Sequence, residues 1–342
     1  MNSHRLILEW TSRPRKTDTG TLFSGEGLGE AGVECGLMNE SGRVASQTAV
    51  LVCQGRAAAD GRSAPGRFAD PVAVRLLRAA ERTPVDEVRA GTPPQGWRAR
   101  TIYESVRACA EVVVPRTVAI DEALRARVAG QLVILGAGLD TRAWRLRELA
   151  RTDVWEVDHP ASQRDKRARL TDAAQAAGEP DGADRAAAGL PTMARSVRFT
   201  PVDFAVDDLG AALDTAGHDP SVPTTWLWEG VVPYLTRDAV RATLATLAAR
   251  TAPGSSLIVN YQTPSVKAAA GRLLTRVLGS SITSGEPWRS LWRPQQMAAL
   301  LAEYGMRVVS DDTLLALAHT IGGPARGRAS LQSGRVAVAE SH

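Results

Sequence analysis

The sequence predicts an α/β fold built on a mainly parallel sheet, and three observations carry that expectation. A continuous apolar run, Leu132-Val133-Ile134-Leu135, feeds directly into Gly136-Ala137-Gly138. A second apolar segment, Val154-Trp155, ends on Glu156-Val157-Asp158. Beyond it, strand-like and helix-like stretches alternate: Val197 to Phe204 as a third strand, Asp207 to Ala216 as a helix, Thr225 to Trp228 as a fourth strand, Thr236 to Arg250 as a helix, and Ser256 to Asn260 as a fifth strand. Unalternating apolar runs suit strands covered on both faces, and strand–helix alternation implies right-handed crossovers between parallel neighbours.

A helical layer is expected ahead of the sheet, over residues 45–129. Ser46 stands where it can cap a helix running through Ala49, Val50, Val52 and Cys53. Asp70-Pro71 reads as a second helix start, with Val72, Leu76 and Ala79 sharing a face. Residues 100–129 read as further helix, with Val112, Val113 and Val114 before Pro115 and a stripe of Ile120, Leu124 and Val128 after it. Residues 1–44 stand apart: glycines from Gly20 to Gly42 interrupt every window, no period of 3.6 or 2 is sustained, and a disordered N-terminal extension is expected. An Ala/Gly/Asp-rich insertion is expected at about 172–195. A second at about 264–292 carries Val266, Ala270, Leu273, Leu274 and Val277 at helical spacing and is a candidate lid.

With 342 residues and 44% hydrophobic side chains, the chain can bury one large core. A formal charge of only +4 gives no case for nucleic acid, because the high pI follows from an arginine-weighted composition in which lysine occurs only at Lys16, Lys166 and Lys267. Cys35, Cys53 and Cys109 are odd in number and widely spaced, which suits a reducing cytoplasm. No apolar stretch approaches the ~20 residues that span a bilayer, so no membrane partner is expected. No His/Cys/carboxylate cluster has metal-ligand spacing.

The glycine turn carries the chemistry. Gly136 and Gly138 allow a sharp turn and close backbone approach, and an acidic residue about 20 positions on, Asp158, lies where ribose hydroxyls are commonly held. A dinucleotide loop asks for a third glycine. Here that position is Thr141, and Asp140 puts a negative charge where a pyrophosphate would be repelled. A phosphate-free ligand with a cationic centre fits better, and S-adenosylmethionine is such a ligand.

The motif as a whole resembles the leucine carboxyl methyltransferase-like group of class I methyltransferases. The resemblance rests on Val133 through Leu146, Glu156-Val157-Asp158-His159-Pro160, Val202-Asp203-Phe204 and Trp228-Glu229-Gly230. Ser46-Gln47-Thr48-Ala49, Phe68-Ala69-Asp70-Pro71, Arg116 through Asp121 and Gly285-Glu286-Pro287-Trp288 extend it over about 45–340. It implies a Rossmann-like sheet with helices on both faces, a helical cap over 45–129, a core over 130–340 and an inserted lid, all in one domain. It further implies that Gly136 and Gly138 approach the methionine part of the cofactor, with Ala137 and Asp140 also among the cofactor-binding residues, that Asp158 binds the ribose, and that Asp203 and Phe204 hold the adenine end. Arg116 would pair with the cofactor carboxylate, and Glu229 would lie near its amino group or the methyl-transfer centre. The first helix lacks the lysine found in eukaryotic relatives, so the carboxylate would rest on Arg116 alone.

Methyl transfer from a sulfonium is an in-line displacement that needs alignment and exclusion of water. A carboxylate acceptor is already ionised at neutral pH, whereas a phenol with a pKa of ~10 benefits from a base. His159, His218, Tyr103, Tyr234 and Tyr261 are the side chains able to serve, and none is singled out. Trp97, Tyr103, Trp288 and Trp292 are candidates to line an apolar acceptor pocket, although large aromatics in helical layers more often belong to the core. The expected activity is O-methylation of a small-molecule carboxylate or hydroxyl, in a cytoplasmic enzyme of secondary metabolism. A nicotinamide-dependent oxidoreductase, disfavoured by Thr141 and by the roughly 130 residues ahead of the loop, and a non-catalytic cofactor-binding protein remain the alternatives.

Overall fold

A seven-stranded sheet organises the protein in the order β3-β2-β1-β4-β5-β7-β6, seen in a computed structural model that describes residues 46–176, 190–264, 288–323 and 329–341. The strands are β1 (Gln131–Leu135), β2 (Asp153–Asp158), β3 (Ser196–Pro201), β4 (Thr224–Trp228), β5 (Ser256–Gln262), β6 (Met306–Thr313) and β7 (Gly334–Ser341). The first five are parallel, and β7 runs antiparallel between β5 and β6. This is the Rossmann-like arrangement of class I methyltransferases. The chain passes outward from β1 to β2 and β3 and then returns to place β4 on the other side of β1. The carboxyl ends of β1 and β4 therefore flank the switch point where open sheets of this kind bind ligands.

The period-2 alternation of the buried strands divides the core in two. Leu132, Ile134, Val154, Leu227 and Ile258 face one side, against Ala57, Val106, Ile120 and Leu124 from α1 (Gln47–Ala59) and α3 (Trp97–Arg127). Val133, Leu135, Trp155, Val157, Trp226, Trp228 and Val259 face the other. They pack on α6 (Leu209–Thr215), α7 (Arg237–Ala249) and α8 (Pro294–Glu303) through Leu213, Leu244, Leu247, Leu300 and Leu301. Between these, α2 (Ala79–Ala90), the single turn α4 (Arg142–Arg145) and α5 (Pro160–Ala176) complete the sequence up to the switch point.

Several expectations change in detail. Ser46 precedes α1, but its side chain makes no capping hydrogen bond to that helix. Asp70 accepts from the Ala73 amide at 3.0 Å, yet it opens only a 3-10 turn, Ala73–Leu76, and not a helix continuing to Ala79. The turn stops because Leu77 is extended and its carbonyl is taken by Arg82 Nε at 2.7 Å, after which α2 begins afresh. Conversely, α3 runs unbroken through Pro115, since Val113, Val114 and Val118 around it are locked against Ala59 and Phe68. The third strand ends at Pro201, leaving Val202, Asp203 and Phe204 in the loop that follows. The antiparallel pair β6 and β7 lies beyond the five strands expected; β6 carries Arg307, Asp311 and Asp312 at an edge, and an irregularity between Val308 and Ser310 interrupts its alternation. Residues 172–176 of the first expected insertion continue α5. The N-terminal extension, the lid and Gly285-Glu286-Pro287 lie mostly or wholly outside the described residues.

Candidate functional site

The turn after β1 is held from three directions. Gly136 (φ +67°) and Gly138 (φ +48°) both occupy the left-handed region. The Gly136 and Ala137 amides donate to the Val157 carbonyl at 2.7 and 3.1 Å, tying the turn to β2. A β-carbon on Gly136 would fall 2.1 Å from Val231 Cγ2, and one on Gly138 would fall 3.2 Å from Ala49 Cβ on α1. The turn is thus packed between the β4–α7 connection and the helical cap, and glycine is required for that closeness as well as for the dihedral angles.

Asp158, at the end of β2, clasps the same turn. Its Oδ2 accepts from the Gly138 amide at 2.5 Å and its Oδ1 from the His159 amide at 2.6 Å. Burial pushes the carboxyl upward, while these two amides pull it down. Each oxygen keeps a lone pair for a further donor. The β3 end lies alongside, because the Val202 amide donates to the Asp158 carbonyl at 2.8 Å. Asp203 Oδ1 accepts from the Ala205 amide at 3.0 Å, and its Oδ2 stands 3.7 Å from His159 Nε2. Phe204 packs half-buried on the core face that contains Trp155 and Val157.

A network of buried charge lies behind the turn. Glu229, just past β4, meets Arg116 Nε through Oε1 at 2.6 Å and Arg142 Nη1 through Oε2 at 2.7 Å. Arg142 also pairs with Asp140 through Nη1 and with Asp121 through Nε at 2.7 Å, and its own amide donates to Asp140 Oδ1 at 2.7 Å. Arg145 continues the chain to Asp121 at 2.6 Å. Asp70 joins Arg56 at 2.8 Å and Thr141 Oγ1 at 2.7 Å. Four guanidiniums (Arg56, Arg116, Arg142, Arg145) thus face four carboxylates (Asp70, Asp121, Asp140, Glu229), the balance that makes such burial tolerable. Burial alone would raise the Asp140 and Glu229 carboxyls. The charge of Arg142 leads the reversal, holding Asp140 at about 2 and Glu229 below its ordinary value.

The sequence reading of Asp140 needs correction here: its charge is not presented to a ligand but cancelled by Arg142, so it does not repel a pyrophosphate. Thr141 is likewise committed, its hydroxyl donating to Asp70. Beneath the turn, Lys166 on α5 reaches Glu156 Oε2 at 2.5 Å, both side chains 1% exposed, with the ammonium 4.7 Å from the Trp144 ring centroid. Burial drives the Glu156 carboxyl upward against the attraction of Lys166.

Residues 49–248 match the model of the leucine carboxyl methyltransferase family. The chain belongs to this family. Its relatives include proteins named "Putative S-adenosyl-L-methionine-dependent methyltransferase". The one from Mycolicibacterium paratuberculosis is 37% identical over 199 residues, 56% of each chain. The one from Mycobacteroides abscessus is 31% identical over 275 residues, 78% of this chain and 84% of the relative. The chain spans about half the length or less of the first three curated relatives it matches.

The matched stretch of this leucine carboxyl methyltransferase family member holds every residue named above, from Ala49 to Val231. The structure brings Gly136, Ala137, Gly138 and Asp158 into one turn, Asp203 and Phe204 beside it, and Arg116, Asp140 and Glu229 into one ion network. Arg142, Arg145, Asp121, Arg56 and Lys166 carry much of the site's charge and went unassigned by the sequence. One signal was available: Asp121 follows Thr117 by four residues and precedes Leu124 by three, so a carboxylate sits on the buried stripe of α3.

Two of the five possible bases are committed to the fold. His218 is buried between Trp155 and Trp226 ahead of β4, with Nε2 on Thr224 at 3.0 Å, and burial lowers its pKa to about 4. Tyr261 donates to Asp311 at 2.6 Å, and burial and that carboxylate push its phenol upward. Of the aromatics expected in pocket or core, Trp292 takes a core position and Trp97 a surface one. Trp97 is 74% exposed, while Trp292 is buried with Arg237 above its ring and its Nε1 on Ser290.

Proposed function

We propose that this protein is an S-adenosylmethionine-dependent O-methyltransferase acting on a carboxylate or hydroxyl of a small molecule. The observation that carries the reading is the juxtaposition at the switch point of Asp158, clasped to Gly138, with the opposed pair Arg116 and Glu229. The cofactor's amino-acid end is a zwitterion, and an opposed guanidinium and carboxylate complement its two charges. Arg116 Nε supports the fit: it is buried and lacks a well-aligned hydrogen bond among the described residues, although Glu229 lies 2.6 Å away. Asp158 would take the ribose hydroxyls on its remaining lone pairs. Gly136, Ala137 and Gly138 would approach the methionine part, and Asp203 and Phe204 the adenine.

When bound, the cofactor supplies a methyl group activated by its sulfonium. What the chain's own residues do is orient and exclude water: α1 covers the glycine turn through Ala49, and Val231 closes the β4 side. A carboxylate acceptor needs no base; a hydroxyl acceptor would draw on His159, Tyr103 or Tyr234, since His218 and Tyr261 are locked elsewhere. A nicotinamide oxidoreductase fits less well, since Thr141 takes the place of the third glycine and its hydroxyl is bound to Asp70.

Calorimetric titration with S-adenosylmethionine and its demethylated product, followed by transfer of labelled methyl to a panel of carboxylic acids and phenols, tests the proposal. Binding of both cofactor forms with turnover of an acid or a phenol is expected. Binding of reduced nicotinamide without sulfonium binding would overturn it, and cofactor binding with no turnover across the panel would favour a non-catalytic binding protein.

A further inference from the structure

We propose that Arg142 is a positioning residue of this site, holding Glu229 from behind in a fixed orientation toward the ligand and anchoring the glycine turn through Asp140. The inference rests on the cofactor reading above and adds to it a residue that would touch no ligand atom.

Glu229 has an inner and an outer partner. Arg142 takes Oε2 from within, with its side chain 3% exposed, and Arg116 takes Oε1 from the side where both Arg116 and Glu229 are 12% exposed. A ligand zwitterion would engage the outer pair, its carboxylate drawing on Arg116 and its ammonium on Glu229 Oε1. The inner pair has no reason to open, because Arg142 is anchored on three separate elements. Its Nε is on Asp121 of α3, and its Nη1 is on both Asp140 of the glycine turn and Glu229 beyond β4. Only a planar, forked cation meets carboxylates in three directions at once. Lysine keeps the charge but loses the fork.

Charge points the same way. Glu229 is faced by Arg142, Arg116 and Arg56 and, as a like charge, by Asp140; Asp140 is faced by Arg142, Lys166 and Arg56 and, as like charges, by Glu229 and Glu156. Burial disfavours both carboxylates, and Arg142 is the leading attraction on each. With Arg142 replaced by a neutral side chain, the leading attraction is lost, only Arg116 and Arg56 oppose burial, and the Glu229 carboxyl moves up. Affinity for a ligand ammonium would then fall as the pH is lowered.

The experiment compares wild type, Arg142→Lys and Arg142→Met with two probes, S-adenosylhomocysteine and 5′-methylthioadenosine, which keeps the nucleoside and thioether but lacks the amino-acid end. Wild type should bind both. Arg142→Lys should bind S-adenosylhomocysteine about tenfold or more weakly, with methylthioadenosine unchanged. In Arg142→Met the loss should deepen from pH 8 to pH 6, while the wild-type affinity stays level. Asp121→Asn loosens Arg142 without removing its charge and should show the same selective loss, giving a readout if the Arg142 variants do not fold. Equal loss for both probes, or none, overturns the positioning role. Failure of wild type to bind S-adenosylhomocysteine overturns the cofactor reading instead.

Discussion

Asp158 and Gly138 are joined across the glycine turn, the carboxylate Oδ2 accepting the glycine amide at 2.5 Å. The residue expected to hold a ribose therefore also shapes the turn that would approach the rest of the ligand. Shape and recognition are coupled at a single side chain, and substitutions there can separate them.

Asp158→Ala should lose roughly 1.5–3 kcal/mol of S-adenosylhomocysteine affinity, since a charged acceptor disappears and the turn loses one of its ties to β2. Asp158→Asn retains an oxygen for the Gly138 amide and should melt close to wild type with an intermediate affinity. Unchanged affinity in Asp158→Ala, with a native circular dichroism spectrum, would remove the ribose assignment.

Gly136→Ala meets both a φ of +67° and Val231 Cγ2 at 2.1 Å from the new methyl. Strain and overpacking should together lower stability by about 2–5 kcal/mol. Adding Val231→Ala relieves the clash but not the dihedral strain, so the double variant should recover part of the loss in a denaturant titration. Full recovery would mean that the left-handed backbone is not strained there.

Lys166→Met would strand Glu156 in the core and should destabilise the fold by about 3–5 kcal/mol. Joining it to Glu156→Gln removes the uncompensated charge and should restore most of that stability. Equal unfolding midpoints for the single and double variants would show that a stranded Glu156 charge is not what destabilises Lys166→Met.

Tyr261→Phe tests a side chain that sequence alone admits as a base. Its phenol is committed to Asp311, whose charge, with burial, keeps the proton on the oxygen at neutral pH. The substitution should cost about 1.5–3 kcal/mol of stability and leave the pH profile of methyl transfer unmoved. Loss of the basic limb of that profile would return Tyr261 to the reaction.

The parts legible in the sequence are those written over short spans. Leu132 to Leu135 is apolar without alternation because β1 is covered on both faces, and Gly136 and Gly138 are glycines because the turn needs positive φ. Asp158 and Glu229 stand at strand ends because the apolar runs before them stop there. From these the parallel core and the place of the site follow, and the family resemblance names the remaining contacts.

Tertiary structure alone decided how the charges pair. Arg142 meets Asp121 and Glu229 across 21 and 87 residues of chain, and Arg56 meets Asp70 while its Nη2 donates to the Leu139 carbonyl 83 residues away. No local period encodes such distances, so Asp70 reads in sequence as a cap alone, whereas it is also a buried anion held by Arg56; Asp140 reads as a free negative charge although Arg142, which cancels it, stands only two residues on. The physical reason is the difference in range. Burial and turn formation depend on neighbours along the chain, but the state of a buried charge depends on which opposite charge the crossovers bring within 3 Å.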